Sequence, residues 1–279
     1  MQTTVDKKEL LEELNSDYKL SKEQIEFFRE NGFVKLKQVL SKEVLDYYGE
    51  IITEHVFKYN RNTAPMEKRN TYDKAFLQIF NLWYKNDEIK EFVFSKRLAK
   101  IATELLGVKG VRLYHDQALY KEPGGGITPW HTDQYYWPLE SPETVTVWIP
   151  LQETPMQMGP LAFAHKSHLV DLGRTIEIGD ESEKILAETI KKQNFEYTNT
   201  PFDLGEVSYH RGWTLHNAGP NVSDKPRKVM TIIYMDKDMR MKMPENRHQL
   251  EDWEKWLSLV KVGEVCAGPT NPILYESNN

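Results

Sequence analysis

The chain has 279 residues, which is enough for one large domain with a sizeable hydrophobic core. Hydrophobic residues make up 39% and charged residues 28%, a balance that excludes a disordered chain and a membrane protein. No run approaches the roughly 20 consecutive apolar residues that span a bilayer. The formal net charge is -6 and no dense basic stripe is present, which argues against nucleic acid as a partner.

The cysteine content and the first residues bear on the cellular location. A single cysteine, Cys266, excludes an internal disulfide and a cysteine-based metal cage. Residues 1–14 are rich in lysine and glutamate and lack the apolar segment of a secretory signal. We therefore expect a cytoplasmic protein in which histidine and carboxylate groups carry any metal chemistry.

Residues 1–110 are predicted to form a mainly helical part that packs on the core. Ser21 and Gln24 have the spacing of a capping box, and Gly32 suits the C-terminal cap of the helix that follows them. Periodicity and polarity predict further elements in this part: a strand over 33–36, a helix that begins after Ser41, a polar loop over 61–70 and a helix over 96–106.

The pattern changes at residue 111, where short segments rich in β-branched and aromatic residues alternate with glycine and proline. Few helical segments lie between them, which favours an antiparallel sandwich or barrel over a doubly wound parallel sheet. We predict one domain, 1–279, with a β core over 111–240 and a C-terminal part over 241–279. The predicted strands of the core are 111–120, 144–151, 206–210 and 228–235, and a charged insertion over about 171–199 contains a helix at 182–192. The C-terminal part contains a helix at 249–260.

His131 and Asp133 are candidate metal ligands because they are two residues apart. In an extended segment both side chains leave the same face, with Cα atoms about 6.5–7 Å apart, so they can converge on one ion. With 42 acidic residues and eight histidines, about one such pair is expected by chance. The pair therefore needs support from a third ligand.

Other histidines could supply that ligand. His210 and His216 flank one turn, and strand parity does not choose between them. His165 and His168 have the spacing of a separate zinc site, but their segment is predicted to be a loop. Arg227 lies 11 residues beyond His216 at the start of an apolar strand. A buried arginine there could hold the carboxylate of a dicarboxylic acid, and its alternative role is an ordinary ion pair.

Taken together, these motifs resemble those of the phytanoyl-CoA dioxygenase family of iron(II)- and 2-oxoglutarate-dependent oxygenases. The resemblance covers residues 21–236 and is far more specific than any one motif. The segments that carry it occur in the family's order: 26–34, 121–133, 145–151, 159–161, 167–168, 205–207, 216–221 and 226–227.

The resemblance implies a mainly β fold with flanking helices around a double-stranded β-helix, or jelly-roll. It implies that His131, Asp133 and His216 bind iron(II), and that Arg227 pairs with the far carboxylate of 2-oxoglutarate. By position, Gln117 and Trp148 resemble residues that line the co-substrate site, and the sequence leaves open which of these further residues line the pocket: Gln78, Asn81, Tyr135, Tyr136, Trp137 and Trp213.

The reaction implied by the resemblance consumes O2 and 2-oxoglutarate, releases succinate and CO2, and hydroxylates an unactivated C–H of a small metabolite. Desaturation, epoxidation and cyclisation stay open, and the acid at position 133 argues against halogenation. Two further interpretations of the same ligands also stay open. One is a zinc-dependent hydrolase, in which Arg227 has no task, and the other is a catalytically inactive cupin-like binding module.

Overall fold

The computed structural model describes residues 6–62 and 64–277. Its helices are α1 (Lys7–Asn15), α2 (Lys22–Asn31), α3 (Lys42–Tyr59), α4 (Thr71–Ala75), α5 (Asp87–Val93), α6 (Lys96–Leu106), α7 (Asp180–Lys192) and α8 (Arg247–Trp256). Its strands are β1 (Phe33–Leu36), β2 (Leu77–Phe80), β3 (Gly110–Tyr120), β4 (Thr128–His131), β5 (Thr144–Pro150), β6 (Leu161–Ala164), β7 (Tyr197–Thr198), β8 (Val207–Arg211), β9 (His216–Ala218), β10 (Val229–Asp236) and β11 (Ile273–Glu276). Of the described helices, none has both the length and the apolar character that a membrane span requires.

The ends of helix α2 follow the local sequence signals. The side chains of Ser21 and Gln24 each accept a hydrogen bond from the other residue's backbone N–H, which completes the predicted capping box. Gly32 ends the helix in the left-handed region with φ of 83°. Such caps satisfy backbone groups that a helix leaves unpaired, and an N-cap contributes about 1 kcal/mol. They fix the point at which the chain enters β1.

The strands form two antiparallel sheets, as the fold-class prediction requires. The larger sheet has the order β1-β8-β5-β10-β3-β11, with β2 also beside β3, and the smaller sheet has the order β4-β9-β6-β7. Side chains from both sheets share one buried cluster, which includes Trp148 of β5 and Phe163 of β6. The mainly β fold with flanking helices and a jelly-roll core is thereby confirmed.

Helices cover the outer face of the larger sheet. Leu98 and Ile101 of α6 belong to the same buried cluster as Val145 and Val147 of β5. Every residue of β5 is buried, because helices cover one face and the smaller sheet lies over the other. Thr146 and Trp148, which alternate with those valines, therefore face the space between the sheets.

Several short elements escaped the sequence prediction. Helices α1, α4 and α5 and the strands β2 and β11 were not predicted, although both strands pair with β3. Strands of four residues at or near a sheet edge are stabilised by their partner more than by their own propensity. The last helix ends at Trp256, earlier than predicted, because Leu257 leaves the helical conformation. The predicted boundaries of the domain parts stay a prediction, and residues 1–5, 63, 278 and 279 lie outside the described ranges.

Candidate active site

Two histidines meet across the smaller sheet. His131 is the last residue of β4 and pairs directly with His216, the first residue of β9. Asp133 follows the extended residue Thr132 and begins a short 3-10 turn, which carries its carboxylate back between the two imidazoles. The Nε2 atoms of both histidines lie 3.6 Å from Asp133 Oδ1. The three candidate ligand atoms lie within 4.8 Å of one another.

Backbone carbonyl groups fix the orientation of both imidazoles. His131 Nδ1–H donates to the carbonyl of Pro129 at 2.7 Å, and His216 Nδ1–H donates to the carbonyl of Thr214 at 2.9 Å. Each bond leaves the Nε2 lone pair free toward the space beside Asp133. Burial lowers the pKa of His131 and, more strongly, that of His216. Both rings are therefore neutral at neutral pH, which is the form that binds a metal.

The carboxylate of Asp133 is held through its second oxygen. Asp133 Oδ2 accepts hydrogen bonds from Thr146 Oγ1 at 3.1 Å and from His210 Nε2 at 3.2 Å. Burial acts to raise the pKa of Asp133, but the electrostatic interaction with His216 and the hydrogen bond from His210 outweigh it and lower that pKa below its usual range. The group is ionised, and its Oδ1 remains available to a cation.

These donors fit a divalent transition metal. Two atoms that each bind an ion at about 2.1 Å can be separated by up to about 4.2 Å, so the 3.6 Å spacings suit one shared ion. Two imidazoles and one carboxylate are the donor set of the facial triad of non-haem iron(II), which leaves other coordination positions open. His165 and His168 form no such site, because their Nε2 atoms contact Thr198 and the carbonyl of Arg29 instead.

A cavity opens from this cluster between the two sheets. It encloses about 890 Å³, part of which is open to solvent. The predicted site residues that line it are His131, Asp133, His216, Gln117, Trp148 and Arg227. Three residues that the sequence left open also line it: Gln78, Tyr136 and Trp137. Their convergence in one cavity agrees with the site that the sequence predicted.

Three other residues that the sequence left open do not line this cavity. Asn81, at the start of a turn, donates its backbone N–H to the carbonyl of Asp116, and its side-chain Oδ1 accepts from the backbone N–H of Asp116. The ring centre of Tyr135 lies 6.0 Å from that of His248. Trp213 lines a separate cleft, where the guanidinium of Arg174 lies 4.9 Å from its ring centre.

Arg227 is a buried cation at the far part of the cavity. Its exposed fraction is 2%, its Nη1 donates to the carbonyl of Gly159, and its guanidinium lies 5.3 Å from the centre of the Trp148 ring. Its Nε has no hydrogen-bond partner, and no acidic group of residues 6–62 or 64–277 forms an ion pair with it. Burial lowers its pKa to about 9, so the group still carries its charge at neutral pH.

The backbone of Gly159 makes the contact with Arg227 possible. Gly159 has φ of 68°, and a Cβ atom there would lie 2.1 Å from the carbonyl oxygen of Gly219. Only glycine fits this left-handed position against a neighbouring backbone. The close approach directs the Gly159 carbonyl at the guanidinium.

Strand register orders the cavity along the larger sheet. The first row across β5, β10 and β3 consists of Thr146, Ile233 and His115, and the second consists of Trp148, Thr231 and Gln117. Beyond the second row, the backbones of Arg227 and Lys121 form an antiparallel β-bridge. Thr146 contacts the metal cluster through Asp133, so the first row is the row of the metal site. Arg227 lies on the side beyond the second row, which gives the cavity a metal end and a guanidinium end.

The sequence did not predict the contacts that hold Asp133, although it left His210 open as a possible metal ligand. Thr146 and His210, which hold Asp133, lie on β5 and β8. Their signal in the sequence is a polar residue at alternate positions of strands that are otherwise apolar. Tyr72 and Asp252 also line the cavity, but they come from flanking helices and had no signal of this kind.

Comparison with known proteins agrees with this geometry. The model of the family described as Phytanoyl-CoA dioxygenase (PhyH) matches residues 28–229. The chain is 26% identical over 232 residues to a probable alpha-ketoglutarate-dependent hypophosphite dioxygenase of Stutzerimonas stutzeri, covering 77% of this chain and 79% of that relative. It is 24% identical over 200 residues to a phytanoyl-CoA dioxygenase domain-containing protein 1 homolog of Caenorhabditis briggsae, covering 68% and 69% of the two chains.

Solved structures show the same architecture. The non-heme alpha ketoglutarate dependent carbocyclase SnoK from nogalamycin biosynthesis superposes with a TM-score of 0.77 and 26% identity. The superposition covers 94% of this chain and 100% of SnoK. The epimerase SnoN, solved in complex with Fe3+, alpha ketoglutarate and nogalamycin RO, superposes with a TM-score of 0.74. At 21% identity, over 91% of this chain and 98% of SnoN, that likeness concerns the fold alone.

A jelly-roll that brings two imidazoles and a carboxylate together in a cavity with an unpaired arginine has the design of a non-haem iron oxygenase that uses 2-oxoglutarate. The family match runs from α2 to the first residue of β10 and so contains the three candidate metal ligands and Arg227. The chain belongs to the phytanoyl-CoA dioxygenase family. The predicted class of enzyme and its predicted dependence on iron and 2-oxoglutarate are confirmed.

Proposed function

We propose that the chain hydroxylates an unactivated C–H of a small-molecule metabolite, with His131, Asp133 and His216 as the iron(II) ligands. Arg227 is proposed to bind the C5 carboxylate of 2-oxoglutarate, and Gln117 and Trp148 to line its site. The observation that carries the proposal is the buried guanidinium of Arg227 in the same cavity as the triad, without an acidic partner in the described chain.

This arginine discriminates between the candidate functions. A buried cation without a counter-ion is costly, and a bidentate carboxylate offsets that cost. 2-Oxoglutarate supplies such a group at the end remote from its metal-binding oxygens. A zinc hydrolase that used the same triad would leave Arg227 unpaired, and an inactive binding module would have no use for a complete and pre-oriented triad.

The residues of the chain have distinct tasks in this proposal. Bound iron(II), with 2-oxoglutarate and O2, supplies an oxidant able to remove hydrogen from carbon, with release of succinate and CO2. The two imidazoles and Asp133 would hold the ion. The carbonyls of Pro129 and Thr214 orient the imidazoles, and burial keeps the imidazoles neutral. Arg227 fixes the co-substrate from its far end.

The cavity walls restrict the co-substrate and exclude water. Trp148 packs between Phe202 and the guanidinium of Arg227, with ring centres of the two aromatic residues 4.7 Å apart. Gln117 accepts a hydrogen bond from Gln78 at 2.6 Å, which fixes its side-chain amide. The rigid walls suit a small molecule that reaches the metal from the other side. Hydroxylation is the proposed outcome, and cytoplasmic residence stays a prediction that cell fractionation checks.

Anaerobic titration tests the proposal. Protein that receives both iron(II) and 2-oxoglutarate should develop a visible charge-transfer absorption, and neither addition alone should produce it. The absorption should disappear in His216→Ala, whereas His168→Ala, outside the cavity, should keep it. An absorption that needs no 2-oxoglutarate, or one that persists in His216→Ala, would contradict the assignment of the ligands.

Arginine variants test the co-substrate contact separately. Arg227→Met should weaken 2-oxoglutarate binding by about 100-fold, since a buried charge-assisted pair is lost, while the affinity for iron(II) stays within about threefold. Arg227→Lys should recover part of the affinity, because it restores the charge without the bidentate geometry. Equal 2-oxoglutarate affinity in all three proteins would give Arg227 another role.

A further inference from the structure

The cavity contains a carboxyl group that the proposed chemistry does not use. Asp252, on α8, lines it together with the metal cluster. Its Oδ2 accepts a hydrogen bond from the hydroxyl of Tyr114 at 2.9 Å. Tyr114 precedes His115, which belongs to the row of the metal site. Asp252 therefore lies at the metal end of the cavity. Along the chain from His115 to Lys121, whose backbone bridges to that of Arg227, the guanidinium end is about 20 Å away at about 3.3 Å per residue.

Asp252 has no cationic partner in the described chain. The charges nearest to it belong to Lys255 and His248. Lys255 is exposed, and His248 Nε2 lies 3.0 Å from Glu177 instead. Burial raises the pKa of Asp252 to about 7, which reflects the cost of a carboxylate without a counter-ion. A bound cation would remove that cost.

The cavity side chains near Asp252 can contact a bound cation, but they carry no positive charge that would neutralise the carboxylate. His115 lines the same wall, and burial lowers its pKa to about 4, so it is neutral at neutral pH. Its Nδ1 is buried and has no hydrogen-bond partner in the described chain. The side chains of Tyr72, Phe80 and Tyr136 line the cavity as well. Aromatic faces attract organic cations, and by more where water is excluded.

The charges of the whole site lead to the same conclusion, which rests on the proposed function. The positive charges of iron(II) and Arg227 balance the negative charges of Asp133 and of doubly ionised 2-oxoglutarate. Asp252 is the one charge of this set that remains without compensation. A positively charged substrate would neutralise the loaded cavity, whereas an anionic substrate would add a second uncompensated charge.

We propose that the primary substrate carries a positively charged nitrogen and that Asp252 is its counter-ion beside the aromatic wall of Tyr72, Phe80 and Tyr136. The assignment concerns recognition. Asp252 holds one end of the substrate, and the carbon to be oxidised extends from there toward the metal cluster.

Three probes of similar shape test this proposal: benzylammonium, benzyl alcohol and benzoate. Each is titrated calorimetrically, without O2, into protein loaded with iron(II) and 2-oxoglutarate. Benzylammonium should bind about 10-fold or more tightly than the other two. In Asp252→Asn its affinity should fall about 10-fold, while that of benzyl alcohol stays the same. Asparagine keeps an oxygen acceptor for Tyr114, so the fold is expected to survive.

Glu251→Gln is the matched control on the same helix, because Glu251 pairs with Arg247 at the surface at 2.7 Å. It should bind benzylammonium like the unchanged protein. Tighter binding of benzoate, no detectable binding of benzylammonium, or equal binding in Asp252→Asn would overturn the assignment. The charge-transfer absorption separates the two proposals. Its absence from the unchanged protein contradicts the proposed function, whereas its presence without a preference for the cation contradicts only the role of Asp252.

Discussion

Thr146 orients the candidate metal ligand Asp133: its hydroxyl donates at 3.1 Å to Oδ2, the oxygen that also accepts a hydrogen bond from His210. Oδ1 is thereby left facing His131 and His216. We predict that Thr146→Val lowers the affinity for iron(II) by about 10-fold, because loss of a bond that orients a ligand typically costs 10- to 100-fold. Anaerobic calorimetry with iron(II) measures the effect.

Thr146→Ser is the control for that prediction, since it keeps the hydroxyl and removes only a methyl group. Its affinity for iron(II) should stay close to that of the unchanged protein. If serine and valine weaken binding equally, packing between the sheets and not the hydrogen bond orients Asp133.

Gly159 offers a second prediction, which concerns 2-oxoglutarate. In Gly159→Ala the new methyl group would meet the carbonyl oxygen of Gly219 at 2.1 Å in a left-handed backbone position, so the segment has to shift. The carbonyl that accepts from Arg227 shifts with it. We expect 2-oxoglutarate affinity to fall by about 10-fold with little change for iron(II), as measured by calorimetry. Gly179→Ala, where a Cβ atom meets nothing within 4 Å, is the control. Unchanged 2-oxoglutarate affinity in Gly159→Ala would show that the arginine does not depend on this carbonyl.

The success of the sequence prediction had a local basis. Ser21, Gln24 and Gly32 define a helix through contacts within a few residues, so the pattern alone predicts it. His131 and Asp133 are likewise close in the chain. The resemblance to the family chose His216 over His210 and gave Arg227 its role, because periodicity does not predict contacts between residues so far apart in the chain. In the fold, the pairing of β4 with β9 brings His131 and His216 together.

Other parts of the site could not be predicted because they depend on tertiary packing. Asp252 is one of three acidic residues on an amphipathic helix, and only the packing of α8 against Tyr114 directs it into the cavity. Trp213 shows the opposite case. It lies three residues before His216 in the chain, yet its turn directs it into another cleft under Arg174. Closeness in sequence to a ligand does not fix the face on which a turn residue lies.

Lys121 gives a prediction about stability. Its side chain is fully buried, and its Nζ donates to the carbonyls of Gly126 and Gly219 at 2.5 and 2.9 Å and to Thr128 Oγ1 at 3.3 Å. These bonds join the end of β3 to the loop before β4 and to the segment after β9. Lys121→Met leaves two buried carbonyls unpaired and should lower the free energy of unfolding by roughly 2–4 kcal/mol.

Urea denaturation followed by circular dichroism measures that change. Lys68→Met, at an exposed position, is the control and should change the free energy of unfolding by less than about 0.5 kcal/mol. A loss in Lys121→Met as small as in the control would mean that water or neighbouring groups satisfy both carbonyls.

Asp116 predicts a pH dependence of stability. It is fully buried on β3 and accepts backbone hydrogen bonds from Leu82 at 3.0 Å and Trp83 at 3.3 Å. Burial outweighs these bonds and raises its pKa from 3.8 to about 7. Between these two values the folded state binds more protons than the unfolded state, so the contribution of Asp116 to stability is present below about pH 4 and is lost as the pH rises through about 7.

The comparison with Asp116→Asn isolates this contribution, because the other titrating groups act equally in both proteins. As the pH rises from about 5 to about 7, the free energy of unfolding of the unchanged protein should fall by roughly 1–3 kcal/mol relative to that of the variant. The variant loses one acceptor for the turn of Leu82 and Trp83, so its absolute stability can fall at both pH values, and the slope is the informative quantity. Parallel slopes in urea denaturation series would mean that Asp116 is ionised throughout this range, with its two backbone donors outweighing the cost of burial.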